Sequence, residues 1–229
     1  MQTTSALYQS LILDPNARKQ VQIVIAGTTY GEDQIVSLYT TSGMFAEDTM
    51  SIGGAVAKEI DLVLRQPGNI PRMAQMIPSY RLVKGTEASE WIQKGIYYID
   101  TRSVDEVTGV MTIHGYDDML KAEQVWEPAQ SLEFPMTMVQ AVNVIAQLMG
   151  VTLDPRTVLN QSYTIDYPAN NYTLRDVLRY IAVANAGNWI ITDDGKLRLV
   201  SFGEIPTETN YLVEEDGDAI TFGGDRILV

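Results

Sequence analysis

Near residue 125 the spacing of apolar side chains changes, and that change limits what this 229-residue chain can fold into. Upstream, apolar and polar residues alternate, the period of a strand that buries one face. Downstream of Pro135 the apolar residues recur every three to four positions, the period of a helix that buries one stripe. Strands followed by helices build an α+β fold, mostly β here, rather than an interleaved α/β sheet. The segment VWEPAQSLEF (125–134) reads as a linker at the change. The expected partition is therefore an all-β unit over 1–125, an α+β unit over 126–203, and acidic strands over 204–229 that complete or extend the fold.

Within the first unit the clearest local pattern is Trp91 to Leu120. Gly95–Val104 and Val110–Tyr116 alternate and are rich in β-branched and aromatic residues, which suits a pleated, half-buried surface. Gly109 fits the left-handed position that closes a hairpin between them. Asp117 follows as the cap of a short helical turn, DMLKAEQ. Earlier, residues 20–26 and 35–41 read as a hairpin across the Gly27–Gly31 turn. The stretch 51–65 puts Lys58, Ile60, Leu62 and Leu64 on one face, and Gly53 and Gly54 before it suggest a bulge or a close backbone passage. Pro67, Pro71 and Pro78 mark 66–78 as a crossing rather than a strand. SYRLVKG (79–85) resumes the pattern, for roughly six strands in all.

The second unit reads helix, extended linker, helix, hairpin. Met136–Met149 places Met138, Ala141, Val142, Ile145, Leu148 and Met149 on one stripe, with Pro135 at the first helical position and Gly150 just past the end. A second helix starts at Thr173, an N-cap with Asp176 three residues on. It buries Leu174, Val177, Leu178, Ile181 and Ala182, and Gly187 closes it. WIIT and KLRLV then flank Asp194-Gly195, a two-residue hairpin signal. NYLVEE and AITFGG follow as short strands among seven acidic residues from Glu204 onward, and the apolar end DRILV reads as a last strand without a partner. That is the pattern of a fragment, or of a chain whose neighbour supplies the pairing.

Composition decides mainly what to exclude. The absence of cysteine removes thiol nucleophiles, Cys-ligated zinc and iron–sulfur clusters,. With 16 basic against 29 acidic residues the net charge is −13, whereas a grip on a phosphate backbone needs Lys and Arg to displace counterions. No run approaches the roughly 18 apolar residues of a membrane span, and the N-terminus lacks a basic segment followed by an apolar one. A soluble, non-secreted chain without membrane insertion is expected.

His114, the single histidine, lies near Asp117 and Asp118, a set that could ligate zinc or iron. The simpler reading is a strand residue followed by a capping aspartate. A Ser-His-Asp triad would need the same histidine, and no Gly-x-Ser-x-Gly elbow accompanies it. Carboxylate pairs for glycoside hydrolysis arise by chance among so many acids, and no local pattern selects one. The glycines of SIGG and FGG lack the following helix and lysine of a phosphate loop. Trp91, Trp126 and Trp189 are expected in cores or subunit contacts rather than stacked on sugars. No catalytic, cofactor-binding or metal-binding residue is assigned, and no cofactor is expected.

Five phrases nevertheless resemble one family: SIGGAVAKEIDLVL (51–64), IPRMAQMIPSYRLV (70–83), WIQKGIYYIDTR (91–102), MTIHGYDDMLKAE (111–123) and TLRDVLRYIAVANAGNWIITDDGKLRL (173–199). Together they are similar to the hub proteins of bacteriophage and prophage tails, the N-terminal region of baseplate or tail-tip hubs of the tail-associated lysin or minor structural protein type. The resemblance implies a tube-like β-barrel domain over 1–125 and a non-enzymatic structural subunit in the virion tail, assembled in the host cytoplasm. It also implies a homotrimeric ring between the tail tube or distal tail protein and the spike or tip protein. DNA and tape-measure protein would cross its lumen without specific binding. Family hubs are usually longer, and those with lytic activity carry a separate downstream domain, so no active site is carried over. The alternatives are a tail-associated enzyme that cleaves cell-wall glycan through a carboxylate pair, and a host-surface carbohydrate-binding module using exposed aromatics.

Overall fold

Ser5 accepts the backbone N–H of Tyr8 on its hydroxyl and so starts α1 (Ala6–Ile12),. Seven residues are too few turns to display a period, so alternation alone assigns nothing here. Packing holds the helix in place, because Tyr8 and Leu11 are buried with Leu82 and Ile92 in a small satellite cluster. The computed structural model describes residues 4–41, 44–45, 50–127, 133–167, 171–203, 221–222 and 225–226.

The first unit is one branched sheet built from β1 (Arg18–Ile25), β2 (Thr28–Tyr30), β3 (Ile35–Thr40), β4 (Glu59–Arg65), β5 (Gln75–Lys84), β6 (Glu87–Ala88), β7 (Ile92–Gln93), β8 (Tyr97–Val104) and β9 (Val110–Asp117). Its path is β2-β1-β5-β8-β9-β4-β3, with β6 and β7 also on β5. The β5–β8 link is only Gln75↔Tyr98 and Met76↔Tyr97, and the β8–β9 register shifts between Ile99 and Thr101. A narrow link and a bulge let the two parts of the sheet turn toward each other. Between them lies the first core, with Ile23 and Ile25 from one part and Ile60, Leu62, Leu64 and Ile113 from the other. Gly115 stands where β9 passes closest: a Cβ there would lie 2.4 Å from the Tyr98 carbonyl oxygen and 2.7 Å from Met76 Cε.

The hairpin at 97–117 and its 3₁₀ turn (Asp118–Glu123), capped by Asp117, form as the sequence indicates. Two other readings are corrected. β1 does not pair with 35–41. The chain reverses at once through Ala26 and Gly27, both at positive φ, into β2, and β3 pairs with β4 instead. Pro78 lies inside β5. Its carbonyl accepts the Lys94 N–H at 2.9 Å, so its missing N–H is on that same side, where β5 changes partner from β8 to β7, and no bond to β1 is lost. Finally, the path ends at β2 and β3, so the described strands do not close the expected tube-like barrel by themselves.

In the second half, β10 (Met136–Thr137) precedes α2 (Met138–Met149), and Thr137 with Gln140 forms its capping box. Pro135 therefore lies outside the helix. Gly150 is left-handed at φ 69° as expected. Leu148 points outward, and Ala146 takes its place in the buried stripe. β11 (Thr152–Leu153) and β12 (Thr164–Ile165) lead to α3 (Leu174–Ala184), whose capping box and buried face match the sequence reading. Its end is made by Asn185 and by Ala186 at φ 48°, whereas Gly187 already begins β13 (Gly187–Ile191). β13 and β14 (Lys196–Ser201) are joined by four residues, Thr192-Asp193-Asp194-Gly195, with Gly195 at φ 80° closing the bulged turn in place of a two-residue one,.

The sheet order β11-β14-β13 is extended by the first half. Gly53 donates to the Gly187 carbonyl at 3.0 Å, Trp189 donates to Gly54 at 2.8 Å, and Ala55 bridges Trp189 in parallel. A Cβ on Gly53 would sit 2.5 Å from Val183 Cγ2, which makes this the close backbone passage indicated by the paired glycines. The second core gathers α2, α3 and Trp189, joined by Ala55, Met119 and Ala122 from upstream. β15 (Thr221–Phe222) and β16 (Asp225–Arg226) pair with each other, so the end of the chain does carry a partnered strand. NYLVEE (210–215) and Ile227–Val229 lie outside the described residues.

Candidate functional site

Lys58 occupies an apolar-face position just before β4, and a lysine there must find an anion or remain uncompensated. Its side chain is 9% exposed and its ammonium bonds Asp193 Oδ1 at 2.8 Å. Lys94 approaches the other carboxylate oxygen at 3.5 Å, and the Gln93 amide donates to the Asp193 carbonyl at 2.6 Å. The tip of the β13–β14 hairpin is thus clamped onto the strands of the first half. Arg175 of α3 adds a second clamp by donating to the carbonyls of Ala55 and Met119 and pairing with Glu123.

Asp117 lies beside this clamp. It donates its backbone N–H to the Lys58 carbonyl, and its Oδ1 accepts the Met119 N–H at 3.0 Å, while the buried Oδ2 has no hydrogen-bond partner among the described residues. Burial pushes its carboxyl up to about 7, against the smaller downward pull of the Met119 and Lys58 amides and the Lys58 charge. Tyr97, whose hydroxyl donates to the Lys94 carbonyl, has its phenol raised by burial and then by Asp117 and Asp193. The role of these groups is to hold two cores together. Sequence reading places Lys58 on the apolar face but not its partner, because Asp193 is 135 residues away.

His114 goes elsewhere. Its Nδ1 is 2.8 Å from Asp61 Oδ1 on the neighbouring strand, and its ring stands edge-on to Tyr116 at 4.8 Å. Asp117, three residues on, faces the buried side, so the strand separates the His114, Asp117 and Asp118 set,. Among the described residues no group of three or more His, Asp or Glu is placed to hold a metal ion. His114→Ala should change the unfolding free energy by less than about 1 kcal/mol, as exposed pairs do, measured by denaturant titration. A loss of several kcal/mol would show that the pair is structural. Trp126 and Trp189 are core residues, and Trp91 lies under the Arg81 guanidinium.

Among the described residues the section β8-β9-β4-β3 has two free edges: β3, and β8 from Thr101 to Val104, beyond its short pairing with β5. β3 carries no charged residue, and its Val36 and Tyr39 are 49% and 69% exposed. Uncharged free edges are templates for pairing with another chain. No helix among the described residues is long and apolar enough to cross a membrane.

The sequence matches no protein-family model, and no curated protein matches it. Solved structures do match in fold. A 43 kDa tail protein of prophage MuSo2 from Shewanella oneidensis aligns with a TM-score of 0.55 and 13% identity, over 85% of this chain and 59% of its own. A tail protein from Neisseria meningitidis MC58 aligns with a TM-score of 0.53 and 13% identity, over 79% and 51%. The Francisella PdpA-VgrG complex gives 0.50 and 11%, over 83% and 33%. This chain thus spans between half and three-fifths of the two tail proteins. At such identities the likeness is one of fold alone, shared with these two tail proteins and with the PdpA-VgrG complex.

Proposed function

We propose that the chain is a non-enzymatic structural subunit of a phage or phage-like tail, a hub whose homotrimeric ring joins the tail tube or distal tail protein to the spike or tip and lets DNA and tape-measure protein pass. The strongest support is the fold shared with a prophage tail protein over 85% of this chain. The free edges add a physical route. With β8 open on one side of a four-stranded section and β3 on the other, neighbouring copies can join head to tail, and a heterologous contact of this kind closes into a ring when the rotation permits. The tube-like barrel is then completed between subunits rather than within one. In this reading residues 1–125 form the tube wall, 126–203 the buttressing α+β unit, and 204–229 an extension. A net charge of −13 suits a passage that must not retain DNA,.

Mass measurement in solution combined with particle imaging tests the proposal. Threefold rings, alone or with tail components, are expected. A monodisperse monomer at every concentration, even with its tail partners, would sink it. The double variant Val36→Lys and Tyr39→Lys puts charge on the β3 edge at exposed positions. It should stay folded and lose ring formation by about tenfold or more in concentration, since like charges on an edge oppose pairing.

A further inference from the structure

The outer face of the β11-β14-β13 sheet, opposite the helices, opens into a groove of about 570 Å³ walled on one side by Lys58. Its floor follows from strand alternation: Leu197 and Leu199 point into the core, so Lys196 and Arg198 project outward, with Ile190 directly across from Arg198,. Three of its cations are matched. Arg156 makes a two-pronged contact to Asp154 at 2.8 and 2.6 Å, Lys196 pairs with Asp194 at 2.6 Å, and Lys58 pairs with Asp193. Arg198 is held less firmly: its charge helps to lower the Asp154 carboxyl, after the hydrogen bonds and charge of Arg156. Among the described residues its side chain makes no ion pair, and its Nε is buried without a hydrogen-bond partner.

A guanidinium without an ion pair of its own, in a groove whose other cations are already paired, can take one further carboxylate, because its fork donates to two oxygens in one plane. The geometry points to this groove as the docking site for an acidic segment of a partner protein, with a Glu or Asp side chain on Arg198 and the peptide lying across Ile190. Charge selects the occupant. A nucleic acid would bring a row of phosphates against Asp154, Asp193 and Asp194 in a chain that is already acidic, whereas a peptide can bring a single carboxylate to the one groove cation that has no ion pair among the described residues. Nothing in this argument depends on ring formation, so the two proposals fail separately.

The test is titration of the purified full chain with a fluorescent, C-terminally amidated Gly-Gly-Glu-Gly-Gly peptide, read by polarisation, with inorganic phosphate and a tetralysine peptide in parallel. Saturable binding that weakens with salt is expected for the glutamate peptide alone. Arg198→Gln should weaken it about tenfold, the loss of one charge-assisted contact. Arg18→Gln, on an exposed pair with Glu32 in the first half, should leave it unchanged. Thermal unfolding of each variant separates loss of contact from loss of fold, and should Arg198→Gln unfold, Lys196→Gln reports on the same row. Absence of saturable binding to the wild-type chain would overturn the inference. So would undiminished binding by the folded Arg198→Gln and Lys196→Gln variants, or phosphate binding as tight as that of the peptide.

Discussion

Replacing Trp189 with alanine should cost about 3–5 kcal/mol, the range for deleting a large aromatic from a closed core. The side chain is fully buried, its indole N–H donates to the Leu178 carbonyl at 2.8 Å, and its backbone receives the Gly53–Ala55 segment. Truncation therefore opens a cavity between α3 and the small sheet and removes the indole hydrogen bond, although the Leu178 carbonyl keeps its helical partner inside α3,. A domain of ordinary stability, about 5–15 kcal/mol, has little left after such a loss. Trp189→Phe keeps most of the volume and drops the hydrogen bond, so it should cost about half as much or less. Denaturant midpoints for the two variants check this. A cost below about 1 kcal/mol for alanine would mean that α3 and the sheet collapse onto the vacated space.

The second large effect is a pH dependence carried by Asp117. Its folded carboxyl titrates at about 7 against an ordinary 3.8, because burial opposes the charge. Between those values the folded chain holds a proton that the unfolded chain has released, so this residue's contribution falls as pH rises from about 4 and levels off above about 7. Asp14, Asp154 and Asp176 act in the opposite sense, since hydrogen bonds from Lys84, Arg156 and Thr173 hold them below the usual range. Comparison with Asp117→Asn isolates the one residue. The amide keeps the helix cap and never ionises. At pH 8 the variant should exceed the wild type by about 1–3 kcal/mol, because each tenfold change in proton affinity is worth roughly 1.4 kcal/mol and relaxation around the charge recovers part of it. The gap should close toward pH 4. A gap that is constant with pH would show that Asp117 stays charged in the folded chain.

Signals in the sequence are legible where the physics is local. The capping box at Thr173, the left-handed Gly150 and the hairpin closed by Gly109 each depend on residues within a few positions of one another. Long-range pairing was not legible. Nothing near residue 35 says that β3 joins β4 instead of β1, because an alternating strand fits either neighbour,. Pro78 misled for a related reason: whether a proline breaks a strand depends on which side its missing N–H faces, and that is settled only when the partners are known. Lys58 carried a partial signal as a cation on an apolar face, whereas Arg198 carried none, since lysine and arginine alternating with leucine describe any exposed strand.

The Gly53–Ala55 segment at the edge of the small sheet also bears on how the chain folds. Gly54 and Asn188 are bonded across 134 residues, and closing a loop of that length costs about 4 kcal/mol in chain entropy, beyond a constant term. During synthesis the segment emerges long before β13 exists. The paired glycines therefore wait, exposed, until most of the chain has been made, and their docking belongs among the late events of folding, when two partly formed cores become one cooperative unit.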